Sequence, residues 1–124
     1  MSILSATGRI VMVLSPINGR WGMHKLMAKL STNEFGINWD PTKEITLVTF
    51  NRKRTLCKLL HVDQTGVDCT TRILNQGRFK IMLDENLVPR SLNREQLERL
   101  LTDGTISGEY QHAVSKFLLE SHLS

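Results

Sequence analysis

A chain of 124 residues, 40% hydrophobic and 23% charged, is long enough to bury its own core, and it reads as one globular domain spanning 1–124. No apolar run approaches the roughly 20 residues of a membrane span, and no basic stretch precedes the apolar N-terminus, so the expectation is a cytoplasmic chain without a signal peptide. The net charge of +4 is uneven: Met1–Leu83 carries 12 Lys/Arg against 5 Asp/Glu, and Asp84–Ser124 carries 4 against 7. A basic body with an acidic C-terminal third is compatible with a polyanion partner, and equally with ordinary charge scatter on a solvated surface.

In chain order, Arg9–Ser15 (RIVMVLS) predicts a strand buried on both or nearly both faces. Pro16 ends it, and Asn18-Gly19 makes a turn. From Arg20 the period changes. Met23, Leu26, Met27 and Leu30 stand at i, i+3, i+4 and i+7, the apolar face of a helix, with His24, Lys25 and Lys29 on the other side. Ser31–Pro41 is a loop that Phe35, Ile37 and Trp39 would anchor. Trp39 as a base-stacking platform is the weaker reading, because the aromatics are not interleaved with the cations.

Ile45–Leu83 carries four β-like runs: ITLVTF, TLCKLLHV, VDCTTRIL and RFKIML. The breaks are NRKR, DQTG and NQG. Strands joined this closely pair antiparallel, so the stretch predicts a β-meander. If Val62 pairs with Val67, Cys57 lies opposite Arg72 and Cys69 opposite Leu60, with the thiols on opposite faces. There is no CxxC and the four histidines are scattered, so the cysteines read as core filler rather than metal ligands.

The first break places Arg52, Lys53 and Arg54 in a row. Lys58, Arg72, Arg78 and Lys80 could share a face with that turn and form a phosphate-binding stripe. The competing reading is cations on edges and exposed faces that keep sheets from aggregating.

Asp84–Arg90 reads as a linker closed by Pro89. Asn93 with Gln96 three residues on is a capping box, and Leu92 can staple onto Leu97. Leu97, Leu100 and Leu101 form the buried stripe and Gly104 stops the helix. A last helix capped by Ser107 would bury Tyr110, Val114, Phe117 and Leu118. As a DNA-reading helix-turn-helix this pair is poor, since the second helix has Lys116 alone against Glu109 and Glu120. No GxSxG, HExxH or phosphate-loop motif is present, and no catalytic residue, metal or cofactor is expected. Asp63 and Asp68, which flank a turn, read as turn residues rather than a carboxylate pair.

Several segments occur in a family's order: Arg20-Trp21-Gly22 with Leu26 and Leu30; Phe50-Asn51-Arg52-Lys53-Arg54 leading to Lys58 and Leu60; and Asp63 with Gly66. Leu74-Asn75-Gln76-Gly77-Arg78-Phe79 follows, and then Leu92, Gln96, Leu97, Leu100, Leu101 and Gly104. In this, 9–104 resembles the TnpB-type accessory protein, the second open reading frame, of the sixty-six family of bacterial insertion sequences. The chain departs from the pattern at Leu60-His61-Val62-Asp63, where the family often has an aromatic pair, and at Met23-His24-Lys25-Leu26. Residues 105–124 extend past the similar part.

The resemblance implies a non-enzymatic helper of DNA transposition encoded beside a separate transposase. The expected fold is α+β: an antiparallel meander of four to five strands covered by an N-terminal helix and two C-terminal helices. The expected partner is DNA, held through Arg52, Lys53, Arg54, Lys58, Arg72, Arg78 and Lys80. The alternative is docking on the transposase or another element-encoded protein through an acidic surface of Glu95, Glu98, Glu109 and Glu120.

Overall fold

The computed structural model describes residues 8–106. The helix expected from Ser107, with Glu109 and Glu120, lies outside the described residues. Five strands form one mixed sheet: β1 (Arg9–Met12), β2 (Ile45–Phe50), β3 (Leu56–Val62), β4 (Val67–Ile73) and β5 (Arg90–Leu92). Their spatial order is β4-β3-β2-β1-β5. Two helices, α1 (Met23–Ser31) and α2 (Arg94–Asp103), complete the described elements.

The α+β class is therefore correct, but the sheet is not a plain antiparallel meander. β2, β3 and β4 do form consecutive antiparallel hairpins. β1, however, pairs parallel with β2, Arg9 beside Ile45, and α1 makes the crossover between them. Such a β-α-β unit buries its strands on both sides, which is why every position of RIVM and ITLVTF except Arg9 is buried, Thr46 and Thr49 included. β5 pairs antiparallel with β1; the sequence reading ends a linker at Arg90, takes Leu92 as a helix staple, and places no strand here.

Side-chain alternation divides the core into two layers. On one face Val11, Val13, Ile45, Leu47, Leu60 and Val62 meet Leu26 and Leu30 of α1 and Ile37 of the following loop. On the other, Ile10, Met12, Val48, Phe50, Cys57 and Leu59 meet Leu97 and Leu100 of α2. Trp39 is a fold anchor: its indole N–H donates to the Lys43 carbonyl at 3.0 Å.

The fourth β-like run is not a strand. Phe79 and Ile81 are buried while Lys80 and Met82 are exposed, so the alternation is real. The backbone partners nevertheless belong to no ladder. Phe79 N–H donates to the Arg54 carbonyl at 2.9 Å, Lys80 N–H to the Gly104 carbonyl at 2.7 Å, and Asp84 N–H to the Leu14 carbonyl at 2.9 Å. The segment is a strap across the α2 face, tied by the Phe79 ring against Phe50 at 5.5 Å between centroids. A tilted aromatic pair of this kind contributes about 1 kcal/mol beyond its buried area.

The α2 termini match their sequence signals. Asn93 Oδ1 accepts from Gln96 N–H at 2.8 Å, and Gln96 Oε1 accepts from Asn93 N–H at 2.9 Å. Gly104 closes the helix at φ 77°, a left-handed conformation that favours glycine. A Cβ there would also lie 2.7 Å from Leu74 Cδ1. Val62 pairs with Val67, and of the registers the sequence allows this is the one that sets Cys57 opposite Arg72 and Cys69 opposite Leu60. Burial pushes the Cys57 thiol far above its ordinary value and raises Cys69 in the same direction, so both stay protonated at neutral pH.

Candidate nucleic-acid interface

The β2–β3 turn is built by Asn51. Its side-chain oxygen accepts from the N–H groups of Thr55 (2.9 Å) and Leu56 (3.1 Å), and its amide nitrogen donates to Thr55 Oγ1 at 2.7 Å. With the base of the turn locked, Arg52 and Lys53 project into solvent. Arg54 closes the turn at φ 60°. Its N–H donates to the Asn51 carbonyl at 3.0 Å, and its guanidinium lies 3.5 Å from the Ile81 carbonyl.

The strap brings two more cations here. Because Phe79 N–H bonds the Arg54 carbonyl, Arg78 and Lys80 flank the point of attachment, and both are exposed. The crossover adds Arg20, which was not among the expected phosphate-binding cations. Ile17 bridges to Asn51, and a Cβ on Gly19 would be 3.2 Å from Leu56 Cδ2, so residues 17–20 lie along the same turn. No local pattern could have signalled Arg20, since only the parallel placement of β1 carries it there. One end of the sheet thus gathers Arg20, Arg52, Lys53, Arg54, Arg78 and Lys80.

Two expected members of the stripe face elsewhere. Lys58 and Arg72 project from opposite faces of the sheet, because Lys58 pairs with Thr71 and Arg72 with Cys57. Lys58 Nζ donates to the Trp21 carbonyl on the α1 side. Arg72 Nε donates to the Leu101 carbonyl at 3.0 Å on the α2 side. The seven cations therefore do not form one stripe; five of them cluster at the turn and two brace the helices. Nearby, Lys25 and Lys29 lie 5.8 and 4.8 Å from the Trp21 ring centroid, which occupies that aromatic within the fold.

The cluster also has an acidic neighbour. Glu85 pairs with Arg52 at 3.1 Å, with both side chains at least 70% exposed. An exposed pair of this kind contributes little and exchanges readily for another anion.

The opposite end of the sheet has a different character. Asp40, Glu44, Asp63 and Asp68 collect there with Arg9 and Lys43. His61 is fully buried, with Nε2 2.7 Å from Glu44 and Nδ1 3.6 Å from Asp68. Asp63 is a turn residue: its carboxylate accepts from the Thr65 hydroxyl at 2.7 Å and from the Thr65 and Gly66 N–H groups at 2.8 and 3.0 Å. The Thr65 bonds lower its pKa. Asp63 and Asp68 have separate local partners and do not act as a pair.

Among the described residues no three His, Cys, Asp or Glu side chains group as a metal site would require, and no helix is long and apolar enough to cross a membrane. On α2, Glu98 pairs with Arg94 at 3.3 Å and Glu95 lies 3.9 Å from Arg99. The helix face is consequently mixed in charge rather than acidic.

Residues 8–111 match the family described as IS66 Orf2 like protein. No curated protein and no solved structure matches the chain.

Proposed function

The chain belongs to the IS66 Orf2-like family, the accessory proteins of an insertion sequence, and from that premise we propose that it is a non-enzymatic DNA-holding helper of transposition. The supporting observation is the gathering of Arg20, Arg52, Lys53, Arg54, Arg78 and Lys80 at one end of the sheet. Clustered exposed cations on a locked turn suit a phosphate backbone. The turn's backbone is already ordered, so binding costs only side-chain freedom, and the cations release counterions from the duplex. The reading involves no base-edge recognition, so the grip positions the protein without selecting a sequence. Glu85 acts as a stand-in anion for Arg52 until phosphate replaces it. Lys58 and Arg72 serve the scaffold and contribute field rather than contact. The mixed charge of α2 does not favour docking on the transposase through an acidic helix face.

Neutralising the turn as R52Q/K53Q/R54Q tests the reading. The expected result is weaker duplex binding and a log–log salt dependence flattened by roughly 0.9 for each phosphate that is no longer neutralised. R72Q should leave that slope unchanged. Equal binding by the triple variant and the native protein would refute the turn as the contact.

A further inference from the structure

The sheet ends on one side in β4, a seven-residue edge strand. Among the described residues nothing pairs with its outer side. An edge of this length is a template for another strand unless something blunts it. β4 contains no proline, and its register with β3 is regular throughout, without a bulge.

The ladder identifies which groups face outward. Asp63 N–H donates to the Gly66 carbonyl, and the register pairs Val62 with Val67 and His61 with Asp68. In an antiparallel ladder, hydrogen-bonded and non-bonded pairs alternate. Asp68, Thr70 and Arg72 therefore bond to β3. Val67, Cys69, Thr71 and Ile73 direct their N–H and C=O groups to the open side.

We propose that this edge binds a second copy of the chain, with the two β4 strands antiparallel about a two-fold axis at Thr70. The sequence of β4, VDCTTRI, is self-complementary about that residue. Val67 comes opposite the partner's Ile73, Asp68 opposite the partner's Arg72, and Cys69 opposite the partner's Thr71. The axis repeats each pair. The hydrogen-bond parity agrees, since the outward-facing residues 67, 69, 71 and 73 pair only with one another. Asp68, Thr70 and Arg72 then form the non-bonded pairs, in which side chains approach most closely.

The pairing also uses what the single chain leaves exposed. Ile73 is 62% exposed, and in the dimer it meets Val67 on the α1 side of the sheet. Arg72 spends Nε on the Leu101 carbonyl, which holds the side chain in place and leaves its terminal nitrogens for the partner's Asp68. A partner of unrelated sequence would not need this symmetry of apolar and charged positions; a second copy does.

The test is the oligomeric state of the full chain by sedimentation equilibrium across the micromolar range, for the native protein and four variants. The native chain should be a dimer. D68R sets like charges opposite each other twice and should raise the dimer dissociation constant about tenfold. D68R/R72D restores opposite charges and should recover dimerisation. T71P removes an outward N–H that β3 does not use, so it should give a folded monomer. T70C in a C69S background should form an intermolecular disulfide under mild oxidation, because residue 70 faces its own copy. A monomeric native protein would overturn the proposal. So would a dimer indifferent to both T71P and D68R, which would place the contact on another surface.

Discussion

Arg54 is the residue at which fold and function pull apart. It holds φ 60° without being glycine, a conformation that costs an ordinary side chain about 1 kcal/mol. Its guanidinium recovers little of this from the Ile81 carbonyl at 3.5 Å. Glycine would fit the turn at least as well, and on the proposed reading a cation stands here for the phosphate it would meet outside the chain. R54G should keep unfolding free energy within about 1 kcal/mol of native in urea titration, because relief of the left-handed strain offsets the greater freedom of the unfolded chain. The same variant should weaken duplex binding. Unchanged binding would make the arginine a residue of the turn alone. The turn itself was legible in the sequence, since Asn51 followed by three cations between two apolar runs can hardly continue a strand. The departure of Lys58 and Arg72 from the stripe was not legible. Alternation assigns each to a face only once the register is known, and their partners, Trp21 and Leu101, come from distant elements.

Elements with strong local signals formed where the sequence placed them. The box of Asn93 and Gln96 opens α2 and Gly104 closes it, so each end of that helix is specified by its own residues. N93A removes one half of the reciprocal bond and should cost about 1 kcal/mol of stability in denaturant unfolding. A loss of only a few tenths would mean that packing of Leu97 and Leu100 sets the helix start unaided. The strap of residues 79–83 misled for a physical reason. Burial on one side and solvent on the other give a period of two whether or not a neighbouring strand supplies hydrogen bonds. β5 was hidden for the opposite reason. Three residues carry too little pattern to be seen, and the open edge of β1 recruits them. The parallel pairing of β1 and β2 did leave a trace. Both runs lack the regular apolar–polar alternation of a strand with one face in water: Ile10, Val11 and Met12 are consecutive, and so are Leu47 and Val48.

At the scale of the molecule, the crossover makes the charge distribution meaningful. β1 runs parallel to β2 and so delivers residues 17–20 to the β2–β3 turn before the crossover returns the chain to the start of β2; cations far apart in sequence therefore meet at one end, while Glu44, Asp63 and Asp68 gather at the other beside Arg9 and Lys43. If the proposed DNA grip holds, a molecule polarised in this way would orient itself in the field of a duplex before contact. Pairing through β4 would join two sheets antiparallel and point the two basic ends in opposite directions along one continuous sheet. Such an arrangement would suit the proposed helper in handling two DNA segments, although the proposed phosphate grip of a single chain does not depend on it.

The most direct test of the central claim is equilibrium binding of the purified native protein to a duplex carrying the element's terminal repeat, beside a scrambled duplex, over a series of salt concentrations. Phosphate gripping predicts binding to both duplexes with similar affinity, falling linearly in log–log form as salt rises. Absence of binding near physiological salt, or binding that does not respond to salt, would contradict it.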